Sequence, residues 1–150
     1  MYTFGKSSQS NLDSCHVDIQ KILNEAIKIV DFSIIEGLRE DARQVELFND
    51  GKSQLNGVSS RSKHQDNGSG LSMAVDIMPY YKGFNSFTNE SGPKFFYYLA
   101  GHIIAIADKL YRDGTISHKL RWGGNWDSDM DLFQDSNFFD LPHFELTSGL

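Results

Sequence analysis

Apolar residues recur at helical spacing in three parts of the chain, and each part predicts a helix. In the first, from Ile19 to Val30, polar residues occupy the opposite face, which is the pattern of an amphipathic helix. In the second, from Arg39 to about Asn49, the pair Asp50-Gly51 supplies a stop. The third runs from about Pro93 to Tyr111, and proline suits its first turn because that position needs no N–H donor.

Four short apolar runs have the length of strands. They are Phe32–Gly37, Met73–Met78, Leu120–Trp122 and Pro142–Leu146, and Pro79 ends the second. Because strands and helices do not alternate strictly, the pattern predicts an α+β fold with a small, mainly antiparallel sheet packed with about three helices. At 150 residues the chain has the size of a single domain, 1–150.

Composition and charge exclude several classes of protein. The formal net charge of −6 argues against a nucleic-acid partner, for which a basic surface is expected. The single cysteine, Cys15, excludes an intramolecular disulfide and fits a reducing compartment. The N-terminal residues lack the apolar segment of a secretory signal, and no run reaches the roughly 18 apolar residues of a membrane span. We therefore expect no signal peptide and no membrane insertion.

Three residues far apart in the sequence have the chemistry of a zinc site. His64 lies in a polar loop, Asp76 in the middle of an apolar strand, and His143 near the start of another. Two imidazoles and one carboxylate form a catalytic zinc site when the fourth position is left to water. Each residue also has an ordinary interpretation: a surface histidine for His64, a carboxylate paired with an arginine for Asp76, and a core histidine for His143.

Two carboxylates flank His143 and are candidates for the acid/base that such a site needs. Residues two apart in a strand share a face, so Glu145 is expected on the side of His143, where it could orient the imidazole. Asp140 lies just before the strand, at a turn from which it could take a proton from water and return it to a leaving amine. We favour Asp140 as the base.

Several segments resemble the zinc peptidoglycan peptidases, a family with D-Ala-D-Ala carboxypeptidases, vancomycin-resistance D,D-dipeptidases and phage L-alanyl-D-glutamate endopeptidases. That family pairs a Ser-x-His-x-x-Gly-x-Ala-x-Asp segment with a later Asp/Glu-x-x-His. The matching segments, in the family's order, are Gly37-Leu-Arg39, Gln44-Val-Glu-Leu47, Gly51-Lys-Ser53, Ser62-Lys-His64, Ala74-Val-Asp76, Trp122-Gly-Gly-Asn-Trp126 and Asp140-Leu-Pro-His143. The resemblance as a whole covers about residues 12 to 147.

The resemblance implies a role for each matched residue. His64, Asp76 and His143 would bind Zn²⁺, and Asp140 would be the catalytic base. Arg39 would contact the scissile carbonyl or a developing oxyanion, and so stabilise charge in the transition state. Around them, the residues expected to contact substrate or support the ligands are Glu145, Ser62, Trp122 and Trp126.

The chain departs from the family pattern at two places. His64 and Asp76 are twelve residues apart, whereas the family's His and Asp are usually seven apart, and the extra residues fall at 67–71. Ser72 stands where the pattern has glycine. The insertion could change the cleft entrance, metal binding or substrate choice, and it alone supports the hypothesis of an inactive peptidoglycan-binding module.

Small members of this family without a signal peptide resemble phage lysis enzymes. The expected substrate is then the L-alanyl-D-glutamate bond of the peptidoglycan stem peptide, hydrolysed without a covalent intermediate. A D-Ala-D-Ala carboxypeptidase or dipeptidase is the alternative. The resemblance further implies a monomer that remains in the cytoplasm of the host bacterium until lysis and then acts on the periplasmic cell wall.

Acidic residues alternate in the loop after Trp126. Closely spaced carboxylates can coordinate Ca²⁺, and Asp127, Asp129 and Asp131 could form such a site. The glycine and the bidentate glutamate of an EF-hand are missing, so a solvated acidic loop is the favoured interpretation.

Overall fold

A four-stranded antiparallel sheet is the framework of the fold in the computed structural model, which describes residues 1–80, 92–129, 131 and 138–148. The spatial order of the strands is β1-β2-β4-β3, so β4 pairs with both β2 and β3. The strands are β1 (Phe32–Glu36), β2 (Ala74–Pro79), β3 (His118–Trp122) and β4 (His143–Ser148). This architecture confirms the predicted α+β class.

Helices pack against this sheet and supply much of the core. The described residues contain α1 (Lys6–Asp13), α2 (Val17–Ala26), α3 (Asp41–Asn49) and α4 (Gly92–Arg112). Helix α4 packs against α2, β2 and β3. Largest among the fully buried apolar side chains are Phe96, Phe144, Leu12, Ile19, Ile22, Leu23, Ile77, Leu99, Ile103 and Leu146. In the described part of the chain, no helix is both long and apolar enough to span a membrane.

Helix α1 is one more helix than the sequence predicted. Its sequence is mostly polar, and Leu12 is its one buried residue, so it has no apolar stripe to reveal it. Tertiary contacts hold it instead. The Asn11 side-chain amide donates to the carbonyl oxygens of Ile34 and Ile35, both at 2.9 Å, and Ser8 Oγ accepts from the Ile34 N–H at 3.0 Å. These bonds cover backbone groups of the edge strand β1.

Candidate active site

The pairing of two strands brings the first two candidate ligands together. Asp76 in β2 lies directly opposite His143 in β4 in the antiparallel register. His64 enters from the loop between α3 and β2, and its carbonyl oxygen accepts a hydrogen bond from the Arg39 N–H at 2.9 Å. The sheet therefore sets the positions of Asp76 and His143, and a backbone bond places His64 beside them.

One atom from each of these residues forms a nearly equilateral triangle. His64 Nε2, His143 Nδ1 and Asp76 Oδ1 are each 3.2 Å from the other two. The second nitrogen of each ring has its own acceptor: His64 Nδ1 lies 2.8 Å from the Gly37 carbonyl oxygen, and His143 Nε2 lies 3.0 Å from Glu145 Oε2. Because both partners are acceptors, the proton of each neutral imidazole sits on the outer nitrogen, and the inner nitrogen presents a lone pair.

The triangle fits a tetrahedral metal ion. Ligand atoms about 2.0 Å from such an ion lie about 3.3 Å apart, close to the observed spacing. Two imidazole lone pairs and a carboxylate oxygen are also a donor set that zinc prefers. His64 and His143 are only 1% and 7% exposed, so mutual repulsion of the three acceptors would be little screened without a cation. These residues form one of two groups in the described part of the chain that could hold a metal ion.

The electrostatics of the triangle favour positive charge at its centre. Burial alone would lower the pKa of His143, but hydrogen bonds to Asp76 and Glu145 outweigh it and raise that pKa to about 9. Burial would raise the pKa of Asp76, yet the two imidazoles hold it well below its usual range. A proton on His143 or a bound cation satisfies the same three atoms, so the two compete.

Glu145 fixes the orientation of the His143 ring. Its other carboxylate oxygen accepts from Arg121 in β3, the residue opposite Glu145 in the register between β3 and β4. Burial would raise the pKa of Glu145, but the bonds from His143 and Arg121 lower it to about 2. The carboxylate is therefore ionised at neutral pH and accepts the imidazole proton on Nε2.

The Arg39 side chain lies next to the Asp76 carboxylate of the triangle. Its guanidinium forms a two-bond ion pair with Glu36, and its Nη2 lies 3.7 Å from Asp76 Oδ2. Its Nη1 donates to Gln44 Oε1 at 2.7 Å. The side chain is 9% exposed, so these partners hold a fixed positive charge at the site.

Gln44 helps to build the site, although in the sequence it stood out only as part of the Gln-x-x-Leu motif. It is fully buried, and its amide nitrogen donates to Ser53 Oγ at 2.9 Å and to the Leu55 carbonyl oxygen at 2.7 Å. The same side chain thus joins Arg39 to the loop after α3. The Gln-x-x-Leu and Gly-x-Ser segments contain the two ends of this connection.

Asp140 lies at the turn before β4, close to the triangle. Its N–H donates to the Gly123 carbonyl oxygen at 2.9 Å, and its own carbonyl accepts from the His143 N–H at 3.0 Å. Burial raises the pKa of its carboxyl group, and the charge of Asp76 adds to this, while His143, His64 and Arg39 oppose it. A raised pKa suits a group that must both accept and donate a proton.

A cavity of about 670 Å³ joins these residues. Arg39, His64, Asp76, Asp140, His143 and Glu145 all line it, and so does Ser62. Trp126 and Phe138 form an aromatic wall, with the Trp126 ring 5.7 Å from that of His143.

Ser62 and Trp122 support the site in different ways. Ser62 Oγ accepts from the His64 N–H at 3.2 Å and so helps to shape the turn that carries His64. Trp122 lies in the core, away from the cavity, where its ring stacks on Phe144. Its indole N–H donates to the Leu141 carbonyl oxygen at 2.8 Å, next to Asp140.

The insertion at 67–71 does not displace His64. The Asp66 carboxylate accepts from the N–H groups of Gly68 at 2.8 Å and Gly70 at 2.7 Å, and both glycines have positive φ. At the base of the loop, the Met73 N–H donates to the Lys63 carbonyl oxygen at 2.9 Å. The extra residues therefore form an exposed loop whose base is closed by this hydrogen bond, and His64 keeps its place beside Asp76. Ser72, in the place of the family's glycine, is buried, and its hydroxyl donates to the Ala74 carbonyl oxygen at 2.6 Å.

The acidic loop uses its carboxylates locally. Asp127 Oδ1 accepts from the Asp129 N–H at 3.3 Å, and Asp129 Oδ1 accepts from the Asp131 N–H at 2.7 Å. Among the described residues, these three carboxylates are not one of the groups that could hold a metal ion. The carboxylates of Asp127 and Asp129 therefore accept hydrogen bonds from backbone N–H groups of their own loop.

The second group that could hold a metal ion was not predicted from the sequence. It consists of His16, Asp18 and His118, of which Asp18 is buried. His118 Nδ1 lies 2.8 Å from Asp18 Oδ2, and the His16 and His118 rings meet edge-on at 4.9 Å. The contact joins residues 100 positions apart at the start of α2 and of β3, and no local pattern marks it.

Comparisons with known proteins identify relatives of this chain. The family model described as phage L-alanyl-D-glutamate peptidase matches residues 1–147. The L-alanyl-D-glutamate peptidase of Escherichia phage T5 is 27% identical over 152 residues, covering 97% of this chain and 98% of the phage protein. The crystal structure of the Serratia marcescens L-Ala D-Glu endopeptidase ChiX matches with a TM-score of 0.68 at 28% identity, covering 96% of this chain and 89% of that one.

Proposed function

The chain belongs to the phage L-alanyl-D-glutamate peptidase family, and we propose that it is a zinc-dependent endopeptidase for the L-alanyl-D-glutamate bond of peptidoglycan stem peptides. The observation that carries the metal assignment is the triangle of His64 Nε2, His143 Nδ1 and Asp76 Oδ1, with 3.2 Å sides. Zinc held there would supply Lewis-acid chemistry toward a carbonyl oxygen and toward water.

The chain's own residues account for proton transfer and charge. Asp140, with its raised pKa, accepts a proton from the attacking water and gives it to the amine of the departing glutamate as the C–N bond breaks. Arg39, fixed by Glu36 and Gln44, supplies positive charge next to Asp76 and toward the cavity. Trp126 and Phe138 provide an apolar wall for the peptide.

The binding-module hypothesis loses its one supporting feature. It rested on the twelve-residue separation of His64 and Asp76, and the two residues nevertheless meet at 3.2 Å. We propose that the chain acts as a monomer on the cell wall of the host bacterium, as a phage lysis enzyme.

Mass spectrometry of digested peptidoglycan tests the proposal. Purified Gram-negative peptidoglycan is incubated with zinc-loaded protein, with chelated protein, and with zinc-loaded Asp140→Asn. We expect stem peptides lacking their L-Ala only with the zinc-loaded wild type, and unchanged zinc content in the variant. Loss of a terminal D-Ala alone would identify a carboxypeptidase instead, and no cleavage would reject peptidase activity.

A further inference from the structure

Basic side chains are concentrated around the active-site cavity. The chain carries a net charge of −6 with only 14 Lys and Arg residues. Five of these 14 line this one cavity: Arg39, Arg43, Lys52, Arg61 and Lys63. Four of the five come from α3 and the loop that follows it, which is one continuous stretch of the chain.

Most of these cations already have partners within the protein. Arg61 Nη2 lies 2.9 Å from Asp41 Oδ1, and Arg43 pairs with Glu46. Lys63 Nζ donates to the Leu146 carbonyl oxygen at 2.9 Å. The guanidinium of Arg39 is held by the acidic and amide side chains described above.

Lys52 differs from these four. Within the part of the chain that the structure describes, its ammonium group has neither an ion pair nor a side-chain hydrogen bond. Among the described cations that line the cavity, Lys52 is the one whose charge is available for a ligand.

The backbone around Lys52 is fixed relative to the catalytic groups. The Lys52 N–H donates to the Leu47 carbonyl oxygen at 2.8 Å, directly after Gly51, whose φ of +72° lets α3 end there. The next residue, Ser53, is bonded through Gln44 to Arg39. Lys52 is therefore held on the same hydrogen-bonded support as Arg39.

The proposed substrate carries a negative charge that is complementary to the Lys52 ammonium group. A glutamate residue whose amine is acylated by alanine has two carboxyl groups, and only one of them continues the peptide. The other is a free carboxylate a few bonds from the scissile amide. On the basis of the proposed function, we propose that Lys52 binds this carboxylate and makes the enzyme selective for glutamate over its amidated form.

A comparison of two substrates tests this assignment. One is a stem peptide with D-glutamate, and the other is the same peptide with D-isoglutamine, in which the free carboxylate is an amide. For the wild type we expect kcat/KM to be about tenfold higher with the carboxylate, mainly through KM, because a charge-assisted contact is lost in the amide. Lys52→Gln should cleave both at the lower rate, and Lys52→Glu should prefer the amide.

Lys6→Gln is the matched control, because Lys6 is exposed in α1 and does not line the cavity. It should keep the wild-type preference. Equal cleavage of the two peptides by the wild type, or an undiminished preference in Lys52→Gln, would overturn the role of Lys52 and leave the proposed function intact. Failure of the zinc-loaded wild type to cleave either peptide would overturn both.

Discussion

His64 Nε2 and His143 Nδ1 lie 3.2 Å apart although 79 residues separate them in the sequence, and with both rings neutral neither nitrogen carries a proton. The protons are held on the opposite side of each ring by the Gly37 carbonyl and the Glu145 carboxylate. Two lone pairs and the Asp76 carboxylate therefore face one point, and the fold is stabilised when a cation occupies it.

Zinc should accordingly raise the stability of the protein. A ligand that binds only the folded state at a hundred times its dissociation constant stabilises by about 2.7 kcal/mol. We expect the melting temperature to rise with zinc and to fall with a chelator, as measured by calorimetry. His64→Asn should lose most of this response, whereas His102→Asn should keep it because His102 lies outside both metal-compatible groups. A zinc response that survived in His64→Asn would place the ion elsewhere, with the His16 group as the first candidate.

Glu145→Gln should weaken metal binding without removing a ligand. The substitution removes the charge that keeps the His143 proton on Nε2 and breaks the pair with Arg121. Loss of such a partner typically costs 10–100-fold in metal affinity, and we expect a loss in that range by competition with a chromophoric chelator. Glu25→Gln is the control, because Glu25 is in an exposed pair with Lys28. Equal zinc affinity in the two variants would contradict the role assigned to Glu145.

The meeting of His64, Asp76 and His143 could be predicted from the sequence because each lies in a short segment with a distinctive order of residues. The positions of Asp76 and His143 follow from strand pairing, and strands are visible as apolar runs. The register that places Arg121 opposite Glu145 depends on the whole sheet, and no local sequence pattern predicts it.

Two other features could not be predicted from the sequence for a related reason. Helix α1 has no apolar stripe and is held by the bonds of Ser8 and Asn11 to β1, which exist only in the folded protein. The contact of Asp18 with His118 likewise depends on packing across 100 residues. Periodicity reports which face of an element is buried, and it carries no information about long-range polar contacts.

Gly123→Ala should impair catalysis through Asp140. A methyl group at this position would lie 2.2 Å from the Asp140 carbonyl oxygen, so the backbone of the turn must move. Misplacing a catalytic group by about 1 Å can cost on the order of 100-fold, and we expect a fall in kcat of that size. Gly101→Ala, with open space around the added methyl group, is the control and should stabilise α4 by about 0.5–1 kcal/mol. Wild-type kcat in Gly123→Ala would show that the turn tolerates the shift.

Asp18→Asn should destabilise the protein at neutral pH, and the loss should fade in acid. Burial would raise the pKa of Asp18, but hydrogen bonds from His118 and Ser117 lower it below its usual value. The unfolded state therefore takes up a proton at higher pH than the folded state does, so the contribution of Asp18 is complete above the unfolded pKa of about 3.9 and is lost as pH falls through the folded pKa.

Urea unfolding of the wild type and Asp18→Asn between pH 7 and pH 3, with chelator present, measures this difference. We expect about 1–3 kcal/mol in the free energy of unfolding at pH 7, because the buried carboxylate accepts from several donors, and a smaller difference below about pH 4. Asp13→Asn, at an exposed position in α1, should show little difference at any pH. A constant difference across the range would mean that Asp18 stabilises through shape and hydrogen bonding, and that its charge contributes nothing.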